Sequence, residues 1–80
     1  MSDVFARRQF ERGRQFELQD RLEEAVRAYE AACSMNPGFP DPYYALGRIE
    51  ANRNRFEAAL TLFDQALAIS PDPQILEWRA

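Results

Sequence analysis

The chain contains no histidine and no lysine, and its single cysteine, Cys33, has no second thiol to pair with. The missing histidine excludes His-based catalytic triads and His-containing zinc sites. One thiol can build neither a disulfide framework nor a thiolate metal cluster, and its isolation fits a reducing, cytoplasmic setting. Glycine is scarce, with three in 80 residues, and none belongs to a phosphate-cradling loop. No apolar run approaches the eighteen or so residues of a membrane span. The N-terminal residues lead straight into an Arg-rich amphipathic stretch, which does not resemble a secretory leader. Basic excess is also lacking: the formal net charge is −3, whereas nucleic-acid binders draw most of their affinity from neutralising phosphates. The expectation is a protein with no nucleic-acid partner, no membrane association, no metal and no cofactor.

What is present points to one small soluble domain. Hydrophobic residues make up 46% of the chain and charged residues 29%, a balance typical of globular rather than disordered sequences. All ten basic residues are arginine. A GC-rich coding bias accounts for that, although arginine also offers forked carboxylate binding that lysine cannot.

Internal repetition is the main signal. A shift of 34 residues superposes Phe5 on Phe39, Gly13 on Gly47, Arg14 on Arg48 and Arg21 on Arg55. The same shift superposes Glu23 on Glu57, Ala25 on Ala59, Ala32 on Ala66 and Pro37 on Pro71, with Tyr29 falling on Phe63. A period of this length is the mark of stacked helical units. Asp20-Arg21-Leu22-Glu23 and Asn54-Arg55-Phe56-Glu57 read as capping boxes, each with an Asp or Asn N-cap and Glu three residues on. Asp41-Pro42 and Asp72-Pro73 read as capping carboxylates before a first-turn proline, and Ser2 can cap the N-terminal helix. Apolar residues at helical spacing, Leu22, Ala25, Val26, Tyr29, Ala32 and Cys33, recur as Phe56, Ala59, Leu60, Phe63, Ala66 and Leu67. These signals predict five helices, near 3–19, 22–35, 41–53, 56–69 and 73–80, joined by connections short enough for antiparallel hairpins. The fold class expected is all-α: a first hairpin over 1–39, a second over 40–73, and a capping helix or the start of a third unit over 74–80.

The pattern resembles the tetratricopeptide repeat family. Tyr43, Leu46, Gly47, Ala59, Phe63, Ala66 and Pro71 fall on its marker positions in the second unit, and Gly13, Phe16, Ala25, Tyr29, Ala32 and Pro37 do so in the first. The packing expected is that Gly13 and Gly47 let the helices of a hairpin approach opposite Ala25 and Ala59. Ala32 and Ala66 would do the same where hairpins meet, with Tyr29 and Phe63 filling the space between. Departures are Gln9 and Arg12 in the first unit, which suit a wet terminal face, and Glu50 in the second, where an aromatic is usual.

The resemblance implies a groove lined by the first helices that takes a partner peptide or helix. By position its residues are Arg7, Phe10, Arg14 and Glu17, then Asp41, Tyr44, Arg48 and Asn52, then Ile75 and Trp78. Phe10, Tyr44 and Trp78 are spaced 34 and 34, forming aromatic shelves beside two guanidinium forks that suit an acidic peptide. The competing expectation is that the aromatics pack between helices and the arginines pair with Glu17, Glu11 or Glu50. The Lys-Asn-Arg clamp of chaperone-tail binders in this family is absent, since Phe10, Ala45 and Ile75 occupy three of its positions. Cys33 aligns with Leu67 and reads as a small buried hydrophobe, and Glu23-Glu24 sit where they favour a helix N-terminus. The expected function is a non-enzymatic interaction scaffold or adaptor. The alternative is self-association: two repeats are few for a stable stack, so the chain is expected to be either part of a longer protein or a module that pairs with copies of itself.

Overall fold

A computed structural model of the chain describes residues 2–70. Among these residues there are four helices and no strand: α1 (Ser2–Leu18), α2 (Leu22–Met35), α3 (Asp41–Asn52) and α4 (Phe56–Ile69). The fifth expected helix, with Ile75 and Trp78, lies outside the described residues. The helices pack in chain order, α1 on α2, α2 on α3 and α3 on α4. Two antiparallel hairpins therefore stand side by side, joined through α2 and α3.

The core is built where that joint forms. Ala25 and Tyr29 of α2 cluster with Ala45, Leu46 and Ile49 of α3, and Phe10, Phe16, Val26, Cys33 and Leu62 pack around them. Tyr29 is fully buried. The nearest neighbours of the hairpin glycines are aromatic rings. A Cβ built on Gly13 would lie 2.5 Å from Cε1 of Tyr29, and one on Gly47 would lie 2.6 Å from Cε1 of Phe63. Gly13 and Gly47 thus make room for the rings of Tyr29 and Phe63. Ala66 is fully buried on α4, which packs against α3.

The tight turns correct the capping-box reading. Asp20 and Asn54 do not cap α2 and α4; they adopt positive φ, 62° and 64°, at the turn itself. Helix α1 closes with the Arg21 amide donating to the Phe16 carbonyl at 2.8 Å and the Asp20 amide to the Glu17 carbonyl at 2.9 Å. The Arg55 amide to the Glu50 carbonyl at 2.9 Å and the Asn54 amide to the Ala51 carbonyl at 3.0 Å repeat this at the end of α3. This is a Schellman closure, whose left-handed residue is glycine by preference and Asn or Asp as the next resort. The N-caps are Arg21 and Arg55, neither making a side-chain capping bond. Asp41 likewise lies inside the first turn of α3, with Pro40 at the N-cap.

The longer α2–α3 link is organised by Asn36. Its side-chain oxygen accepts from the Gly38 amide at 3.0 Å, while its amide group donates to Asp3 at 2.6 Å. The link is thereby tied back to the start of α1.

Candidate functional site

A furrow runs between α1 and α3, and both helices present to it the residues singled out by position. At one end it is lined by Phe10, Arg14, Glu17, Leu18, Tyr29 and Arg48, around a depression of ≈ 340 Å³. An adjoining depression of ≈ 220 Å³ is lined by Phe10, Asp41, Tyr44, Ala45 and Arg48. Phe10 and Arg48 belong to both, so they sit at the middle of the furrow.

The floor is aromatic. Phe10 lies half-buried with its ring centroid 5.6 Å from that of Tyr29 and 5.5 Å, edge-on, from that of Phe39. Tyr44 packs on Phe63 at 6.2 Å. Such distances suit attractive ring pairs, so both aromatics are anchored in helix packing while one side of each faces the furrow. Arg7 stands over the Phe39 ring at 5.1 Å.

The centre is a three-helix polar junction. Arg48 of α3 donates two hydrogen bonds to Glu17 of α1, at 2.9 and 3.1 Å. The Tyr29 hydroxyl of α2 donates to the same carboxylate at 2.5 Å. A forked guanidinium–carboxylate pair sets both distance and orientation. The consequences for ionisation follow. Arg48 holds the Glu17 carboxyl below its ordinary range, with burial opposing and Tyr29 assisting. Burial, and then the bond to Glu17, push the Tyr29 phenol well above its usual value. The Arg48 guanidinium is raised in turn by Glu17.

Arg14 is placed differently. Its nearest carboxylate is Glu11, at 3.7 Å, and both side chains are largely exposed. Asn52 is exposed at the last position of α3. Glu50, unexpected in the repeat pattern, is held between Arg55 at 3.4 Å and Arg53 at 3.6 Å. The described residues thus bring together Phe10, Arg14, Glu17, Tyr44 and Arg48; Trp78 and Ile75 lie outside them. Sequence reasoning missed the Tyr29 hydroxyl, which it treated only as a packing ring, and Leu18. The latter lies eight residues after Phe10 and four after Arg14, a spacing that keeps one helix face. Cys33 is half-buried on α2 beside Tyr43, and burial pushes its thiol up to about 11.

Comparison with known proteins agrees with this architecture. The tetratricopeptide repeat family matches residues 18–80. The chain belongs to the tetratricopeptide repeat family. Repeats of this family generally mediate protein–protein interaction and are in general non-catalytic scaffolds. The chain is also similar to the Protein O-mannosyl-transferase TMTC1 of Homo sapiens, 26% identical over 68 residues, covering 85% of this chain and 8% of that protein. The similarity therefore concerns a short stretch of a much longer relative. No solved structure matches. Among the described residues, no helix is long and apolar enough to cross a membrane.

Proposed function

We propose that this chain is a non-enzymatic adaptor that holds a peptide or helix of a partner protein in the furrow between α1 and α3. The observation that carries this reading is the asymmetry of the two furrow arginines. Arg48 is committed to Glu17 by two short hydrogen bonds, whereas Arg14 is exposed, with a loose contact to Glu11 and a weak through-space pull on Glu17. Between them lie the accessible edges of Phe10 and Leu18. An extended or helical segment with an apolar side chain for Phe10 and Leu18 and a carboxylate for Arg14 matches that arrangement. The acidic preference falls on Arg14; with Arg48 already neutralised, it amounts to one charge rather than the two that the repeat spacing suggested.

The test is a peptide-display selection on the immobilised chain, followed by titration of the enriched peptide. Arg14→Glu is expected to weaken binding roughly tenfold or more, the scale of a charge reversal at a contact that must be desolvated. Arg27→Glu, on exposed α2 surface, is the control and leaves affinity unchanged. Equal affinity for the wild type and Arg14→Glu, with helical circular dichroism retained, removes Arg14 from the site.

Self-association is a second reading and draws on another surface. The outer face of α4 exposes Phe56, Leu60 and Leu67, an apolar row on a small helical protein.

A further inference from the structure

The furrow carries two equivalent arginines and a carboxylate bonded to one of them. A shift of 34 residues maps Arg14 onto Arg48 and Phe10 onto Tyr44, but it maps Glu17 onto Ala51 and Tyr29 onto Phe63. The repeat therefore copies the guanidinium and the ring beside it without copying the acid and the hydroxyl that engage Arg48. Two N–H groups of Arg48 and the Tyr29 O–H converge on the Glu17 carboxylate, and Arg14 lines the same depression. Two guanidinium groups and a phenol about one acid make the donor set of an anion site. The anion in it is the chain's own.

Charge and exposure indicate what this internal anion does. The ionised side chains lining the two depressions are Arg14, Arg48, Glu17 and Asp41, two basic and two acidic. A further anion approaching Arg48 meets Glu17 in one depression and Asp41 in the other. The Glu17 side chain is 19% exposed and that of Arg48 55%. The acid is thus the fixed member of the pair, while the arginine keeps a side open to the furrow.

We propose that Glu17 is the specificity-determining residue of the furrow, an internal carboxylate that occupies the Arg48 fork and limits the recognised segment to a single acidic group. A doubly acidic segment is refused because its second charge must displace Glu17 or sit beside it, against like-charge repulsion. Replacing the acid by its amide removes that barrier. Glu17→Gln keeps a carbonyl oxygen for the Tyr29 hydroxyl and turns donors, which a guanidinium cannot use, toward Arg48. With its side chain more than half exposed, Arg48 then takes water or an added anion, and no charge is left buried. The lining becomes two basic groups to one acidic, with both arginines available. The inference rests on the α1/α3 furrow being the binding surface, and names the residue that sets the charge of what it binds.

The test has two arms, each run on the full chain and on Glu17→Gln. In the first, inorganic phosphate is titrated while the arginine Nε–Hε signals are followed by nuclear magnetic resonance. Phosphate is expected to shift Arg48 saturably in Glu17→Gln, at least about tenfold more tightly than in the wild type, the scale of one charge-assisted bond. The gain should vanish when Arg48→Gln is added. In the second arm the peptide-display selection is repeated on both proteins. The wild type should enrich segments with one acidic residue, and Glu17→Gln segments with two. Equal phosphate affinity in the two proteins, with Arg14-dependent peptides still selected, overturns the inference and retains the furrow. A phosphate gain at Arg48 with no peptide enriched supports Glu17 as the occupant of the fork and overturns the furrow reading instead. If Glu17→Gln loses its helical signal, the wild-type selection decides: enrichment of doubly acidic segments there overturns the inference, and their exclusion supports it.

Discussion

Glu17 is the residue on which three helices converge, and its chemistry can be followed by pH. Its carboxyl is held low chiefly by the hydrogen bonds from Arg48. A carboxylate with a lowered folded-state value adds stability that is fully present above its unfolded value, near 4.3. That stability is lost as pH falls through the lower folded value. The melting temperature is therefore expected to fall between about pH 5 and pH 3, with Glu17→Gln flattening this acid limb. An unchanged acid limb in Glu17→Gln assigns the loss to other carboxylates. At the alkaline end the sign reverses: the Tyr29 phenol is raised, so its contribution is intact below its unfolded value near 10 and declines above it.

Glycine matters at the same scale for a steric reason. Gly47→Ala would improve intrinsic helix propensity by about 1 kcal/mol, but its methyl would fall 2.6 Å from the Phe63 ring. Overpacking of this kind costs about 1–3 kcal/mol. We expect net destabilisation, read as a melting temperature lower by several degrees. Gly47→Ala combined with Phe63→Leu should recover part of the loss. A more stable single variant would show that the hairpin has slack that the packing does not reveal.

At the scale of helices and turns, Asp20 and Asn54 carry the clearest correction. Asp and Asn are favoured both as N-caps and at left-handed helix ends, and here each is followed three residues later by Glu. The letters satisfy two motifs at once, and only the backbone angles decide between them. The observed left-handed geometry predicts that Asp20→Gly and Asn54→Gly are neutral or stabilising by up to about 1 kcal/mol, with β-branched Asp20→Val destabilising by about 1–2 kcal/mol. Thermal unfolding followed by circular dichroism checks both signs. Helical extents, by contrast, were legible in the 34-residue repeat, because apolar spacing marks each helix independently of its cap and Pro37 bounds α2. The Glu17–Arg48–Tyr29 junction was less legible. Its residues were each marked, as groove or packing positions, but the bond between residues 17 and 48 depends on how one hairpin sits on the next. Linear spacing carries no angle between hairpins.

For the whole molecule, two surfaces point in different directions. The furrow combines anchored rings, one committed arginine and one exposed arginine, whereas α4 presents an apolar row flanked by acids. Gln9 and Arg12, the polar departures from the repeat pattern on α1, are half-buried and exposed respectively. The sequence offered Glu17, Glu11 and Glu50 as partners for Arg14 and Arg48, which occupy equivalent positions in the two units, but not which arginine takes which carboxylate. Arg48 has α1 beside it and finds Glu17 there; among the described residues Arg14, on α1, pairs loosely with Glu11 in its own turn. Equivalent residues diverge because, among the described residues, Arg48 has a carboxylate of another hairpin beside it and Arg14 has one in its own helix.

The most direct measurement is an amide chemical-shift map of the isotopically labelled chain, titrated with a peptide enriched by display. Binding in the furrow predicts perturbations concentrated on α1 and α3, around Phe10, Arg14, Leu18, Tyr44 and Arg48, with α4 quiet. Perturbations concentrated on the outer faces of α2 or α4, with α1 and α3 silent, would contradict it.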